Sequence, residues 1–317
     1  MCTAVSFPGD SHYFGRTLDH HRSYGEEVVF TPRYFPLPFR QVRDLDCHHG
    51  ILGMAHVTDG YPLYYDAMNE HGLCMAGLNF GGFARYGGKA RDRVASFELI
   101  PWLLGQCTSV AEARPMLEQL CITPEAFSPE LPPAPLHWLL ADKAESLTIE
   151  AMEGRLQVWE NPVGVLTNAP PFDDQLRRLA DHMHLTPMPP HNLLAEGIDL
   201  KPYTLGMGAM GMPGDLSSQS RFVRAAFTRL HAVPGGPGQF FRILDTVVQV
   251  EGCCRTVDGG LEHTLYASCC DTQNRVYYYT TEGNRRISGI AMDREKLGGK
   301  TLIRWRLLAK EDILLQN

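Results

Sequence analysis

Met1-Cys2-Thr3-Ala4-Val5-Ser6-Phe7 opens the chain, and its reading decides the rest. Cysteine is small enough for an aminopeptidase to remove the methionine before it. Cys2 would then carry a free α-amine and a thiol on one residue. Such an amine titrates near 7.7–8.0 and a cysteine thiol near 8.5, both about values, so the first can serve as base for the second at neutral pH. An N-terminal nucleophile of this kind needs no catalytic histidine. Taken alone, position 2 would equally suit an inert neighbour of the initiator. Thr3 to Phe7 alternates as a strand, Pro8-Gly9-Asp10 turns, and His12 to Asp19 runs back. The hairpin brings Arg16 and Asp19 within reach of the chain start.

Working outward, Val28 to Thr31 reads as a strand, followed by a loop from Pro32 to His49 rich in proline and aromatics. Pro62 to Ala67 and Leu73 to Phe80 form two stronger strands around the turn Asn69-Glu70-His71-Gly72. The second is almost continuously apolar, as a strand buried on both faces should be. Two helices follow, one capped by Ser96 and running to Gly105, the other capped by Thr108 or Ser109 and running to Leu120, with Glu112 making Ser109 a capping-box candidate. Strands return at 136–141, 147–152, 156–159 and 163–168. Residues 172–182 read as helix, and 183–217 as a long irregular stretch whose length marks it as functional or as an oligomer contact. Helices near 221–227 and 238–249 precede strands at 264–270, 275–281 and 301–307. Strands, helices, strands, helices, strands is not the βαβ alternation of a doubly wound parallel sheet. It indicates mixed α and β in layers, within one domain over 1–317.

Composition narrows the function classes. The 317 residues are 44% hydrophobic and 21% charged, with a net charge of −7. That suits a globular chain with a sizeable core and argues against a nucleic-acid surface. No apolar run reaches the ~18–20 residues of a membrane span. No basic start leads into an apolar signal segment, so a cytoplasmic location is expected. Nine cysteines, an odd number, favour free thiols, including the vicinal pairs Cys253-Cys254 and Cys269-Cys270. Cys47-His48-His49 has metal-ligand chemistry, but adjacent ligands rarely converge on one ion without further partners. Neither a metal nor a cofactor is expected.

Further strings carry a resemblance. Met1-Cys2-Thr3 is followed by Tyr13-Phe14-Gly15-Arg16-Thr17-Leu18-Asp19, then by Asn69-Glu70-His71-Gly72-Leu73 with Ala76-Gly77-Leu78-Asn79-Phe80. Leu166-Thr167-Asn168 comes next, and then Gly211-Met212-Pro213-Gly214-Asp215 with Ser220-Arg221-Phe222-Val223-Arg224. Each is weak alone; together, in this order and spacing, the chain resembles over nearly its whole length the choloylglycine hydrolase family. That family of N-terminal nucleophile hydrolases holds bile salt hydrolases and penicillin V acylases.

The resemblance implies an α+β fold, the four-layer αββα sandwich. It implies that Cys2 is the nucleophile, Arg16 an arginine beside the thiol, and Asp19 the carboxylate that holds the α-amine. Asn79 would lend its backbone N–H to an oxyanion hole, Asn168 would complete it with its side-chain amide, and Arg221 would be a second arginine near the nucleophile. The residue types suit the chemistry. Positive neighbours raise the thiolate fraction of a cysteine, arginines stay cationic, and one oxyanion donor typically contributes ~10²–10³ in turnover. Singly, Arg16 and Asp19 would also suit a surface ion pair, and the two asparagines strand-ending turns.

Asparagine at position 79 resembles bile salt hydrolases, where penicillin V acylases often carry tyrosine, so conjugated bile salts are the implied substrate. A steroid needs a wide apolar pocket. Candidate walls are the loops at 20–25, 55–62 and 124–137 and Leu205 to Met212, with His20, Tyr24, Tyr61, Phe127, Leu131, Leu136, Met207 and Met210 as lining residues. His20-His21 departs from the aromatic residue common after the family's aspartate, which puts substrate range in doubt. Segment 183–205 matches a projecting, subunit-packing segment of the family and implies a homotetramer. Alternatives left open are a penicillin V or acyl-homoserine lactone acylase, a non-catalytic bile-acid or lipid carrier, and a thiol or metal protein.

Overall fold

The structure, a computed structural model, describes residues 1–317. In chain order the strands are β1 (Cys2–Pro8), β2 (His12–His20), β3 (Glu27–Thr31), β4 (Ile51–Thr58), β5 (Tyr61–Asn69), β6 (Cys74–Asn79) and β7 (Asp92–Ala95). Helices α1 (Leu99–Leu104) and α2 (Val110–Leu117) precede β8 (Leu120–Thr123), β9 (Leu136–Ala141), β10 (Ser146–Met152), β11 (Arg155–Glu160) and β12 (Val165–Leu166). Next come α3 (Phe172–Arg178), α4 (Ser218–His231) and α5 (Pro237–Asp245). The chain closes with β13 (Cys254–Arg255), β14 (Leu261–Asp271), β15 (Val276–Thr281), β16 (Asn284–Ala291) and β17 (Ile303–Arg306).

One sheet runs β12-β1-β2-β14-β15-β16, with β13 on β14; the other runs β11-β10-β9-β6-β5-β4-β3-β17. Core residues of both sheets join Phe222 and Ala225 of α4 and Phe240, Ile243 and Leu244 of α5 in one buried cluster. A second cluster packs α1 and α2, through Leu99, Leu103, Val110 and Leu117, on Val29, Met75, Trp138 and Leu140 of the larger sheet. Helices, sheet, sheet, helices is the αββα sandwich.

Local chemistry explains where the sequence reading held. Ser109 caps α2, its hydroxyl accepting from the Glu112 N–H at 3.3 Å. Ser96 does not cap α1: Glu98 is the cap residue, and its carboxylate takes the Ala95 N–H at 2.8 Å and the Arg40 N–H at 2.7 Å. Strand β4 covers residues 51–54, which carry no reading in the sequence, and the first part of the loop read as a pocket wall at 55–62; its buried first half is broken by Gly53 and shows no alternation. Strands β7, β8 and β16 also escape the sequence pattern. Residues 183–217 hold only a short 3₁₀ turn, Met207–Ala209, as expected. All nine cysteines are free, and burial pushes the Cys269 and Cys270 thiols up.

His12 at the start of β2 gives the fold a pH dependence. Its Nε2 lies 2.9 Å from the Ser6 hydroxyl, and its Nδ1 is buried without a partner. Burial, with Arg229 adding to it against Asp142, pushes its pKa down from 6.5 to about 4. Between these values the unfolded chain binds a proton that the folded chain refuses. The stabilisation is present in full above pH 6.5 and is lost as pH falls toward 4. It amounts to at most about 3 kcal/mol. Urea unfolding at pH 7, 5.5 and 4.5 is expected to give falling stability, with a shallower fall in His12→Asn.

Candidate active site

Strand register sets the faces of the first hairpin. Cys2 pairs with Leu18 and Ala4 with Arg16, so these four side chains share one face of the smaller sheet. Arg16 shows which face it is: its Nη1 donates to the carbonyls of Gly77 and, at 3.2 Å, Tyr65, both in the larger sheet. Cys2 therefore points into the space between the sheets. Three residues on from Arg16, Asp19 lies on the opposite face of β2. The two form no ion pair, and the surface-pair reading fails on strand geometry as well as on burial, since both are 1% exposed.

Arg221 arrives from the first turns of α4. It donates to the Cys2 carbonyl, to the Thr3 hydroxyl at 2.7 Å and to Asn168 Oδ1 at 2.8 Å. Asn168 follows β12, which pairs with β1, and the Ser218 hydroxyl takes its backbone N–H at 2.9 Å. The Asn168 amide thus spans the site. Its Oδ1 accepts from the Cys2 N–H at 2.8 Å, and its Nδ2 donates to the Asn79 carbonyl at 2.8 Å. At Asn79 the ladder is about to end. Phe80 donates to Pro135 at 2.7 Å, so Asn79 opposite Leu136 is a non-hydrogen-bonded pair whose N–H and C=O point away from β9. Pairing of β5 with β6 stops at Asp66 and Ala76, which leaves the Asn79 N–H aimed at the site's edge.

Charge is concentrated here. Arg16 and Arg221 are both buried, and every hydrogen bond they make is to a carbonyl, hydroxyl or amide oxygen. Burial works against the Arg16 cation, but Cys2, Tyr266, Asp66 and Asp19 together hold its pKa above the usual arginine value. Burial draws Arg221 below it, partly offset by Asp19 and Cys2. Asp66 sits between the sheets and accepts from Tyr277, Tyr266 and Ser268 at 2.7–2.9 Å; burial raises its pKa against the pull of Arg16.

Asp19 is held by the Thr264 hydroxyl at 2.6 Å and the Gln249 amide at 3.0 Å. With Met1 present, the α-amine is not on this carboxylate. It donates to the Asp19 carbonyl at 2.7 Å and pairs with Glu262. Thr264, Gln249, Ser218 and Glu262 were missed in the sequence. Only Ser218 carried a signal there, in the serine run that opens α4.

The lining candidates are divided. His20, two residues beyond Leu18, lies on the Cys2 face, stacked on His21 at 4.3 Å and tilted against Tyr24 at 5.3 Å. Tyr61, Phe97 and Phe127 form an aromatic group with Arg40, and Tyr61, Phe127 and Leu136 pack into the core on the helix side of the larger sheet, away from the face that Cys2 addresses. Tyr61 is a core residue because it enters β5 with its ring buried. Leu131 belongs to the turn with Ser128. Met207 and the exposed Met210 sit in the 183–217 excursion, which is pinned by the Thr186 N–H on the Gly208 carbonyl at 3.0 Å.

Cys47, His48 and His49 do not converge. Cys47 is exposed, while the buried His48 ring faces the carbonyls of His49 and Phe35 at 2.6 and 2.9 Å. His49 instead meets His71 at 3.2 Å beside Glu70. Both Glu70 oxygens are already taken by Arg33 and the Gly50 N–H.

A buried thiol at the start of a strand, two buried cations without carboxylate partners, and a converging amide and backbone N–H can attack an acyl group and hold the resulting oxyanion. Comparison with known proteins gives the family. The chain is 48% identical over 324 residues to the bile salt hydrolase/transferase of Lactiplantibacillus plantarum, covering 100% of both. It is 34% identical to the conjugated bile acid hydrolase of Lactobacillus gasseri, over 96% of this chain and 99% of the relative. A crystal structure of mutant conjugated bile acid hydrolase from Clostridium perfringens superposes with a TM-score of 0.93 at 30% identity, covering 100% of each chain. Penicillin V acylase from Agrobacterium tumefaciens shares the fold, with a TM-score of 0.76 at 20% identity over 97% and 92%. The family profile described as linear amide C–N hydrolases, choloylglycine hydrolase family, matches residues 2–305, and the chain belongs to that family.

Proposed function

We propose that this protein is a bile salt hydrolase, cleaving the amide of glycine- or taurine-conjugated bile acids through a thioester on Cys2. The observation that carries this is the convergence of Arg221, Asn168 and the Cys2 backbone on one another, with Arg16 on the same face as the thiol. Removal of Met1 would free the Cys2 amine, whose nitrogen already lies against Asn168. The amine takes the thiol proton and the sulfur attacks the amide carbon. Arg16 and Arg221 stabilise the negative charge that the sulfur carries as it attacks. The Asn79 N–H and Asn168 Nδ2 hold the tetrahedral oxyanion. The C–N bond breaks, the amine returns its proton to the departing glycine or taurine, and water then hydrolyses the thioester. To Asp19 we assign the orientation of the freed amine, a role supported by its burial and by the Thr264 and Gln249 bonds that fix its carboxylate. Where an amine outcompetes water at the thioester, the acyl group would pass to it, the transferase activity that the L. plantarum relative's name records.

For the pocket, His20 on the Cys2 face and Tyr24 against its ring remain the candidates, with Met207 and Met210 in the 183–217 excursion as further ones. A homotetramer is supported by exposed apolar residues in the projecting segment: Leu193, Leu194, Tyr203 and Leu205 are each more than four-fifths exposed. No helix is long and apolar enough to cross a membrane.

Intact mass together with a substrate panel tests the reading. The mature protein is expected to lack methionine and to release glycine or taurine from conjugated cholates. Faster cleavage of penicillin V than of every conjugate would overturn the substrate assignment.

A further inference from the structure

His137 and Glu150 form a fully buried pair that the reaction above does not use. They face each other across β9 and β10, with His137 Nδ1 3.1 Å from Glu150 Oε1. On the other side of the ring, Nε2 lies 2.8 Å from the Thr167 carbonyl. A carbonyl only accepts, so Nε2 carries a hydrogen, and one proton lies between Nδ1 and the carboxylate. Glu150 Oε1 also accepts the Phe172 N–H at 3.0 Å, which fixes the carboxylate at the start of α3. The flat face of His137 stacks on Phe80, with ring centroids 4.3 Å apart and 7° between planes.

These contacts fall on two particular neighbours. Phe80 follows Asn79, and Thr167 precedes Asn168. One ring therefore touches the immediate neighbours of both proposed oxyanion donors, by its face on one side and its edge on the other. The arms meet again where Asn168 Nδ2 donates to the Asn79 carbonyl. We propose that His137, oriented by Glu150, is a positioning residue that sets the spacing between the two oxyanion donors; this rests on the roles given above to Asn79 and Asn168.

Few other side chains do both jobs. Phenylalanine would stack on Phe80 but leave the Thr167 carbonyl buried with one acceptor unmet. Glutamine would reach the carbonyl but lacks the ring. Donors must sit ~2.7–3.1 Å from the developing oxyanion, and a misplacement of about 1 Å can cost ~10²-fold.

The test compares His137→Gln, Glu150→Gln, Asn168→Ala and the double variant His137→Gln/Asn168→Ala on a glycine-conjugated cholate. His137→Gln is expected to lower kcat by ~10–10²-fold with KM within about threefold, as loss of a transition-state interaction requires. The rate at which iodoacetamide alkylates Cys2 should not change, because the nucleophile is untouched. The double variant should be no slower than Asn168→Ala by more than about twofold, since residues acting through one donor do not add. If His137→Gln does not fold, Glu150→Gln decides, with an expected kcat loss of about tenfold. Unchanged kcat in the folded variants, a slowed alkylation, or a double variant that loses both factors would overturn the inference. Unchanged turnover in Asn168→Ala would instead overturn the oxyanion role on which it rests.

Discussion

Replacing Cys2 with alanine is expected to lower hydrolysis of conjugated bile salts by about 10⁶, the order seen when a catalytic nucleophile is removed from a comparable acyl-transfer site. The fold should survive, because Cys2's hydrogen bonds in the site are made by its backbone. Its N–H binds Asn168, its carbonyl takes Arg221, and its place opposite Leu18 is set by the hairpin. Alanine preserves all three. The thiol itself has no hydrogen-bond partner whose loss would unsettle the core. Circular dichroism should therefore match the parent while glycine and taurine release disappears. A Cys2→Ala protein that turned over at the parent rate would refute the nucleophile.

Asn168→Asp is expected to cost at least the ~10²–10³ in kcat that one lost oxyanion donor costs, and it separates two duties of one side chain. Asn168 uses its oxygen for structure, accepting from the Cys2 N–H and Arg221, and its nitrogen for the site, donating toward Asn79. Aspartate keeps the acceptor and should strengthen the contact with buried Arg221. It removes the donor and sets a negative charge where another must develop. Turnover should fall far more than stability, with kcat collapsing while the stronger contact with Arg221 offsets the lost bond to the Asn79 carbonyl and Tm changes little. Asn168→Ala, which loses both functions, should fall in both. Equal kcat in the aspartate variant and the parent would show that the amide nitrogen plays no part.

Much of this site was legible in the sequence because it is built on local order. Cys2, Arg16 and Asp19 lie on one hairpin whose alternation and turn are plain, and Asn79 ends a strand that declares itself by continuous apolar character. The layered architecture followed from element order and the resemblance. What stayed hidden depends on long-range register. A strand's period of two sets Arg16 and Asp19 on opposite faces, but which face meets the larger sheet is invisible until Arg16 reaches Tyr65 and Gly77, and the Gln249–Thr264 clamp on Asp19 joins residues some 230 or more positions away. Tyr61, Phe127 and Leu136 show the converse. Aromatic and apolar residues near a loop read as pocket walls, yet packing against α1 and its neighbours drew them to the far side of the larger sheet. Strand β4 was missed because Gly53 and His56 interrupt the continuous apolar run by which a doubly covered strand such as β6 is recognised.

Arg16 and Arg221 bear on how such a protein can be improved. The carboxylates of Asp66 and Asp19 around Arg16 favour its charge, whereas burial disfavours that of Arg221, whose hydrogen bonds all go to neutral oxygens, and burying a charge without an opposite partner destabilises a fold. The active centre is thus a strained spot in an otherwise well-packed molecule, and substitutions that relieve the strain lie close at hand. An apolar residue of similar volume at position 221 would relieve it while removing a charge beside the nucleophile. Selection for heat tolerance alone would drift toward inert variants, so a directed-evolution campaign on this scaffold has to score turnover in every round.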